Sequence, residues 1–467
     1  MPAVAVALLL VACGDASSPV ATGPSPSRGQ VSLGSRSGKV AAFPCSQCHA
    51  QVDPAVVAGG QTKKHAVALA HGPLACTTCH EPGDMDRLRL AAGGTTSFDT
   101  VHALCGQCHV EKARAWAFGA HGKSIGGWSG PRQRFVCTDC HSPHAPALPM
   151  VVAKPAPVPP RRRPQRRAPM TRPTEPDRDR RGFLKLLGLG TAAAAASTTT
   201  ACSTDWDRFF QKHYKEMTPV DKALVFARLE AEGKARAGRP VKIGDPPPVE
   251  GAAFAFAISL SLCNGNRACV YACVEENNQG RDPAIQYIKV VELDRGTLDP
   301  EKGDLYYEGE VPKPGKVYLP MQCNQCDDPP CVKVCPVEAT WKERDGIVVI
   351  DYDWCIGCRY CMAACPYEAR RFNFTEPKIP AREINPHQGY LSNRPRPRGV
   401  VEKCHFCLHR TRLGNNPACM EACTTGARKF GDLNDPTSEV AQILKEKRVF
   451  VLREELATHP RVFYYFD

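Results

Sequence analysis

The sequence predicts an α+β protein with two domains, an N-terminal one of coil and short helices and a C-terminal one of tandem cysteine-rich modules. The 467 residues include 25 Cys and 42 Pro, which are unusual numbers. Eight Cys lie between Cys45 and Cys140 in four copies of one motif, and fifteen lie between Cys263 and Cys423 in closer clusters. A Pro- and Arg-rich stretch separates the two groups. A chain of this length can form two or three domains, each with its own core.

Residues 1–13, MPAVAVALLLVAC, form an apolar run that ends at a cysteine. The run resembles a bacterial lipoprotein-type signal in which Cys13 is lipidated, although the usual basic n-region is missing. A mis-assigned start and a buried apolar strand are the alternatives. Cys202 also follows a run of small apolar residues, so Cys13 and Cys202 are the predicted lipid sites. All other cysteines fall in cofactor motifs, which leaves none for disulfides.

The four N-terminal motifs share the pattern C-x-x-C-H, which attaches c-type haem. Two thiols on one turn reach the two vinyl groups of a porphyrin, and the adjacent His lies under the iron as its proximal ligand. One copy could belong to a zinc ribbon, but four copies that all end in His predict four haem c groups. The attachment cysteines and proximal histidines are Cys45, Cys48 and His49; Cys76, Cys79 and His80; Cys105, Cys108 and His109; and Cys137, Cys140 and His141.

A low-spin haem needs a second axial ligand. Five histidines of this region lie outside the motifs: His65, His71, His102, His121 and His144. The tripeptide AHG recurs at His71 and His121, and His102 stands just before its own motif, so these three are favoured. The fourth distal ligand is either His144 or His65.

Residues 40–150 resemble a small tetrahaem cytochrome c domain in the number and spacing of these motifs. Such a domain has little room for a polypeptide core, so we expect short helices joined by coil, with haems close enough to exchange electrons. No Lys replaces a motif His, so no iron is marked as an open catalytic site.

Residues 151–179 are predicted to be a linker or a fusion junction, because a Pro/Arg-rich segment buries too little apolar surface to fold. Residues 180–202 begin with RRGFLK and resemble a twin-arginine-type signal. The alternative is an ordinary amphipathic helix or a membrane-crossing one, and the latter needs a longer apolar run of about 20 residues.

The two export signals conflict. Haem c is attached to a chain exported unfolded, whereas a twin-arginine signal implies export of a folded protein. Met170 stands ten residues before Arg180. We therefore hypothesise that Met170 began a separate protein and that the chain is a fusion of two adjacent proteins; one native polypeptide is the alternative.

The C-terminal part begins with a helical segment at 203–245, which has helical periodicity up to Gly238 and predicts one or two helices. The apolar stretch AAFAFAISLSL then predicts a strand. Four cysteine motifs follow, and the third is the complete C-x-x-C-x-x-C-x-x-x-C-P run of bacterial ferredoxins. In each, three cysteines are expected to wrap one cluster while the fourth, on a helix start, reaches the neighbouring cluster. The predicted iron-sulfur ligands are Cys263, Cys269 and Cys273; Cys323, Cys326, Cys331 and Cys335; Cys355, Cys358, Cys361 and Cys365; and Cys404, Cys407, Cys419 and Cys423.

The first motif departs from this pattern because Asn266 occupies the position of its second thiolate. Three outcomes stay open: a [3Fe-4S] cluster, a [4Fe-4S] cluster with a non-thiolate ligand, or an empty site. A modified but occupied cluster is favoured, and loss of a thiolate raises its potential. The expected complement is three [4Fe-4S] clusters plus this modified one.

With PPCVKVCP, GVVEKCHFC and PACMEAC, residues 250–467 resemble the iron-sulfur subunits of the polysulfide, DMSO and nitrite reductase type, the 4Fe-4S dicluster ferredoxin family. The resemblance implies two ferredoxin-like modules, with motif one paired to motif four and motif two to motif three. It implies as partner a membrane quinone oxidoreductase subunit of the NrfD/PsrC type, together with a molybdopterin or cytochrome partner. The predicted order is thus a multihaem cytochrome c domain followed by a tandem ferredoxin-like iron-sulfur domain.

The expected function is an electron-transfer subunit that relays electrons through c-type haems and iron-sulfur clusters, between a quinone-reactive membrane subunit and a periplasmic redox partner. A self-contained reductase is the alternative, and no output domain supports a redox sensor. No dinucleotide fingerprint or nucleophile elbow is present, so no catalytic residue is predicted. The expected location is the periplasmic side of the bacterial inner membrane, with lipid anchoring. The net charge of +12 comes largely from 161–181, where no aromatics are interleaved, so nucleic acid is not an expected partner.

The segments 274–322 and 366–403 carry aromatics, Pro and Arg. They are interpreted either as docking surfaces or as solvated loops.

Overall fold

The computed structural model describes residues 31–40, 43–49, 70–72, 74–158 and 211–467. Both predicted signals and most of the predicted linker lie outside the described residues, as do Cys13, His65, Met170 and Cys202. The side chains of Cys48 and His49 also lie outside them.

The N-terminal part contains short helices joined by coil, as expected, together with seven short strands that the sequence analysis did not predict. Its helices are α1 (Ser46–His49), α2 (Val101–Cys105), α3 (Val110–Ala117) and α4 (Cys137–Cys140). Its strands are β1 (Val31–Leu33), β2 (His80–Glu81), β3 (Asp84–Arg89), β4 (Thr95–Thr96), β5 (Ser124–Gly126), β6 (Arg132–Arg134) and β7 (Val151–Val152). They form two small sheets, β1-β6-β5 and β2-β3-β4, while β7 pairs elsewhere.

The C-terminal part mixes longer strands with helices. Its helices are α5 (Pro219–Ala237), α6 (Ala268–Glu276), α7 (Pro330–Lys333), α8 (Tyr360–Ala363), α9 (Leu408–Thr411), α10 (Ala418–Glu421) and α11 (Glu439–Glu446). Its strands are β8 (Lys242–Gly244), β9 (Phe254–Ser259), β10 (Lys289–Asp294), β11 (Glu310–Val311), β12 (Lys316–Met321), β13 (Thr340–Lys342), β14 (Val348–Ile350), β15 (Arg370–Phe372), β16 (His387–Gly389), β17 (Val401–Lys403), β18 (Arg428–Asp432), β19 (Val449–Phe450) and β20 (Val462–Tyr465).

Helix α5 shows why the predicted helical segment folds as it does. The Thr218 hydroxyl accepts a hydrogen bond from Asp221 N at 3.2 Å, and the Asp221 carboxylate accepts one from Thr218 N at 2.9 Å. This capping box pairs backbone donors that a helix start leaves free. Pro219 occupies the first turn, and Gly238 ends the helix with φ +67°, a conformation that favours glycine. The predicted helix end at Gly238 is confirmed.

The largest sheet has the order β18-β9-β20-β19 and lies at the centre of the C-terminal core. Strand β9, the predicted apolar strand, runs antiparallel to β18 and parallel to β20. All six residues of β9 are buried, because neighbouring strands cover both edges and side chains cover both faces. The hairpin β13–β14 and the pair β15–β17 adjoin the second and third cysteine motifs.

The two parts of the protein share one hydrophobic cluster. Ala115 and Ala120 of the N-terminal part pack with Ala255, Val440 and Tyr465 of the C-terminal part, and all five are at most 1% exposed. The N-terminal part therefore packs against the C-terminal part rather than standing apart from it.

The first residues of the predicted linker are structured. Strand β7 pairs antiparallel with β11. Beyond it, Lys154 N donates to the carbonyl of Asn266 at 3.0 Å, and Arg267 donates to the carbonyl of Lys154 at 2.8 Å. This segment lies beside the first cysteine motif.

The interpretation of 274–322 and 366–403 as docking surfaces or solvated loops does not describe their main role. Tyr287, Tyr390 and Arg396 are at most 2% exposed. The Arg396 guanidinium donates to the Glu402 carboxylate at 2.6 Å, and Tyr287 donates to the same carboxylate at 2.6 Å. These side chains are buried, so both segments form part of the core of the C-terminal part. Burial of the charges is tolerated because they are paired. In the part of the protein that the structure covers, no helix combines the length and apolarity needed to cross a bilayer.

Candidate metal centres

Fifteen cysteines of the C-terminal part gather into four groups, which we number as sites 1 to 4. The groups are site 1, Cys263, Cys269 and Cys423; site 2, Cys323, Cys326, Cys331 and Cys365; site 3, Cys335, Cys355, Cys358 and Cys361; and site 4, Cys273, Cys404, Cys407 and Cys419. Each site takes three positions from one motif and the last cysteine from another. This exchange links motif one with motif four and motif two with motif three, as the resemblance implied.

A helix carries the third ligand position of each motif, which in motif one is the second cysteine because Asn266 precedes it. Cys269, Cys331, Cys361 and Cys419 each occupy the second residue of their helix. The fourth cysteine was expected on a helix start, and this expectation is wrong: Cys335, Cys365 and Cys423 follow the ends of short helices. The helix turns the backbone around between the third and fourth cysteines, which directs the fourth to the neighbouring site.

Seven of these fifteen cysteines are buried and the other eight are partly exposed. Burial raises the pKa of Cys263, Cys404, Cys407 and Cys419 to about 12. Ionising several such thiols together is unfavourable unless positive charge compensates them. Iron supplies such a charge in a cluster, since thiolates are its usual protein ligands.

Site 1 surrounds a small cavity that Asn266 and Arg428 help to line. Both ends of the Asn266 amide are engaged by protein. Its nitrogen donates to the Thr424 hydroxyl at 2.9 Å, and its oxygen accepts from Ala268 N at 3.0 Å. The amide therefore faces the loop rather than offering a free ligand to the cavity.

Sites 2 and 3 adjoin each other across Arg370. Site 3 surrounds a small cavity that Arg370 helps to line, and the guanidinium donates to the Cys331 sulfur of site 2 at 3.0 Å. Side-chain amides play a similar part at site 4, where Gln279 and Asn277 donate to the Cys273 sulfur at 3.2 and 3.5 Å. Hydrogen bonds to cluster sulfurs raise the potential of a cluster.

In the N-terminal part, each of three motif histidines pairs with a histidine outside the motifs. The ring centroids are 5.8 Å apart for His71 and His109, 6.3 Å for His80 and His144, and 6.2 Å for His121 and His141. The two ring planes of each pair lie within 14° of parallel. Metal–imidazole bonds of about 2 Å would put the centroids of two trans ligands roughly 6 Å apart.

Hydrogen bonds at Nδ1 orient several of these rings. Nδ1 of His71 lies 3.0 Å from the Pro143 carbonyl, and Nδ1 of His141 lies 2.9 Å from the Pro146 carbonyl. Because a carbonyl only accepts, Nδ1 carries the proton, and the neutral ring keeps its Nε2 lone pair for a metal. Nδ1 of His121 lies 2.7 Å from the carboxylate of Asp467.

The structure places His144 beside the motif histidine His80, while its rival His65 lies outside the described residues. His102 stacks on Trp116 with ring centroids 4.7 Å apart. Burial lowers the pKa of both His102 and His144, which favours the neutral, metal-binding form. The thiol of Cys79 interacts with those of Cys105 and Cys108, and the thiol of Cys105 interacts with that of Cys137. The second, third and fourth C-x-x-C-H motifs are therefore neighbours.

The family model of the 4Fe-4S dicluster domain matches residues 315–383 and 382–433. Three curated proteins are similar to less than half of this protein. A selenate reductase subunit of Mesobacillus selenatarsenatis is 41% identical over 228 residues, covering 46% of the present sequence and 73% of its own. The Hdr-like menaquinol oxidoreductase iron-sulfur subunit 1 of Archaeoglobus fulgidus is 43% identical over 211 residues, with coverages of 42% and 71%. One component of the polysulfide reductase of Wolinella succinogenes is 35% identical over 205 residues, with coverages of 44% and 88%.

This protein belongs to the family of iron-sulfur subunits of the polysulfide and DMSO reductase type. The prediction of an iron-sulfur electron-transfer subunit with a C-terminal 4Fe-4S dicluster domain is thereby confirmed. Attachment of haem, the total number of clusters, the export signals and the lipid sites stay predictions.

Sequence reasoning missed two functional residues of this iron-sulfur subunit, Arg370 and Arg428. Both are 2% exposed, and each interacts with thiols of two sites: Arg370 with sites 2 and 3, Arg428 with sites 1 and 4. Both follow the last cysteine of a motif at the same distance, in CPYEAR and CTTGAR. This repeated C-x-x-x-x-R spacing is the signal that could have revealed them.

Proposed function

We propose that this subunit relays electrons through c-type haems and four iron-sulfur clusters, between a quinone-reactive membrane subunit and a redox partner outside the cytoplasm. The observation that carries the proposal is the packing of two kinds of metal-binding residue into one unit. Paired histidines lie in the N-terminal part and four thiol groups in the C-terminal part, and the two parts share a hydrophobic cluster.

The residues of the four thiol groups fit iron-sulfur clusters. Among the described residues, Nε and Nη1 of Arg370 and Nη2 of Arg428 are buried without a hydrogen-bond acceptor. Buried donors normally have acceptors, and the sulfurs of clusters would supply them. Clusters of this kind accept and release single electrons. The thiols hold them, the surrounding core excludes water, and the two arginines offset their negative charge.

At site 1, we propose a three-iron cluster held by Cys263, Cys269 and Cys423. The fourth position belongs to Asn266, whose amide is already bonded to Thr424 and Ala268. Three thiolates and no free fourth ligand match a [3Fe-4S] cluster. The other three sites each offer four thiols, which match [4Fe-4S] clusters.

The residues of the N-terminal part fit haem c. Each motif supplies two thiols beside a histidine, and three pairs repeat one ring separation and one near-parallel orientation. A haem with two His ligands transfers single electrons without an open coordination position. The motif thiols anchor the group, and the carbonyls of Pro143 and Pro146 orient two of the ligands. This arrangement disfavours a self-contained reductase that acts at a haem.

The family and the sequence support a proposal for the partner and the location. The relatives include proteins whose names refer to a menaquinol oxidoreductase and a polysulfide reductase. We propose for this protein a membrane partner of the same quinone-reactive class, and a place on the periplasmic side of the inner membrane with an anchor at Cys13 or Cys202. Purification of the native complex, identification of its subunits and intact-mass measurement test this proposal; they also show whether the sequence is made as one polypeptide or two.

The decisive experiment measures the metals and haem of matured protein. We expect four covalently bound haems, together with iron and acid-labile sulfide that match three cubane clusters and one three-iron cluster. A protein that contains zinc in place of this iron, or that carries no covalent haem, contradicts the proposal.

Replacing the distal ligand of one haem tests the histidine pairing. His144→Ala is expected to convert about one haem in four from low spin to high spin, because His80 keeps only one side of its iron. Optical and magnetic spectra of the ferric protein measure the change. His65→Ala is the matched control and should leave every haem low spin. Conversion by His65→Ala, but not by His144→Ala, would reverse the assignment.

A further inference from the structure

One haem motif and one cluster site are packed against each other. Residues 120–123 include His121, and they lie on the segment 423–429 that follows Cys423. Gly426 approaches so closely that a Cβ added there would lie 2.4 Å from the Gly122 carbonyl oxygen. Lys123 Nζ donates to the carbonyl of Glu421 at 2.8 Å. Backbone here touches backbone, so no side chain or solvent layer separates the two segments.

Lys429 lies in this contact and is only 1% exposed. Its ammonium donates to the Gly122 carbonyl. It also interacts electrostatically with the thiol of Cys140, in the fourth haem motif, and with the thiol of Cys423, in site 1. The other charged groups that face it are Glu439, whose carboxylate is 4.0 Å away, together with Arg134 and Asp467.

Strand β20 and the residues that follow it also contact residues 120–123. The Tyr465 hydroxyl donates to the Ala120 carbonyl at 2.8 Å, and the Asp467 carboxylate accepts from His121 at 2.7 Å. Lys447 and Lys112 lie 3.0 and 3.3 Å from that carboxylate. His121, which pairs with His141, is therefore positioned by residues of the iron-sulfur part.

We propose that Lys429 is a cation shared by the haem site of Cys137, Cys140 and His141 and by cluster site 1, and that this contact is the electron-transfer junction between the two parts. The inference rests on the proposed function, since it needs both groups. Lys429 is a positioning residue: its carbonyl bond fixes the distance between the parts, and its charge favours the reduced form on both sides, because reduction adds a negative charge. The junction thus joins the haem region to the one site that lacks a fourth thiolate.

Neutral replacement of Lys429 is the test. Lys429→Gln keeps a donor for the Gly122 carbonyl but removes the charge. We expect the ratio of reduced to oxidised centre, at a fixed ambient potential, to fall at least tenfold at both the haem and site 1; for a one-electron centre this equals about 59 mV. An optical redox titration follows the haem. The component that belongs to this haem is the one whose midpoint potential changes in a His121→Met variant. Paramagnetic resonance follows the site 1 cluster.

Two further variants serve as controls. Lys429→Arg keeps the charge and should restore both ratios. Lys123→Met removes a charge that acts on Cys140. It should change the ratio of reduced to oxidised haem and leave the ratio at site 1 unchanged. A Lys429→Gln variant in which neither centre shifts, or only one does, overturns the proposal. Wild-type protein without haem or without a cluster at site 1 instead overturns the proposed function. If Lys429→Gln does not assemble with its haems and clusters, Lys429→Met is measured in its place. Equal ratios of reduced to oxidised centre in wild type and Lys429→Met would then overturn the proposal.

Discussion

Asn266→Cys is expected to convert the cluster of site 1 from a three-iron to a four-iron form. The substitution supplies the missing thiolate at the position that the ferredoxin pattern assigns to it. The paramagnetic signal of an oxidised [3Fe-4S] cluster should disappear, the iron content should rise by about one atom per polypeptide, and a further [4Fe-4S] signal should appear on reduction. The potential of this site should also fall, because a thiolate adds negative charge beside the iron.

Asn264→Cys is the matched control for this experiment. Asn264 also lines the cavity of site 1, but it stands two residues away from the ligand position. A new thiol there should leave the three-iron signal in place. A wild-type protein that shows four [4Fe-4S] clusters and no three-iron signal would contradict the proposed site, and Asn266→Cys would then change neither signal nor iron content.

The second large effect is expected from the buried arginines. Arg428→Met removes a positive charge that acts on sites 1 and 4. At roughly 6 Å and an effective dielectric constant of about 20, one charge contributes on the order of 3 kcal/mol. Since a tenfold change corresponds to about 59 mV for one electron, the potentials of both sites should fall by roughly 100 mV. Potentiometric titration followed by paramagnetic resonance measures them.

Arg370 provides an internal control for this prediction. Arg370→Met should lower the potentials of sites 2 and 3 and leave sites 1 and 4 unchanged, because its thiol neighbours belong to the other module. Arg→Lys at either position keeps the charge but loses the planar set of donors, so a smaller fall is expected. Equal shifts at all four sites in either variant would show that the arginines act through overall stability rather than as local charges.

Much of the candidate site could be predicted because its chemistry is encoded locally. Three cysteines at short spacing belong to one turn of backbone, so spacing alone predicted iron-sulfur ligands and marked Asn266 as the exception. The end of helix α5 was predictable for the same reason, since Gly238 supplies a left-handed residue where the helix stops. Segments 366–403 and 274–322 were harder to interpret, since their charged residues are paired only by distant partners such as Arg396 with Glu402.

The sequence by itself determined which ligand-type residues this protein carries: cysteines at ferredoxin spacing, four C-x-x-C-H motifs, and one amide in place of a thiolate. Tertiary structure alone decided which distant residues meet. It set His144 against His80, placed Arg428 between two sites, and buried Lys429 between Cys140 and Cys423. The physical reason is that spacing within a motif constrains only a few backbone dihedrals, whereas these meetings depend on the packing of a core to which both parts of the protein contribute.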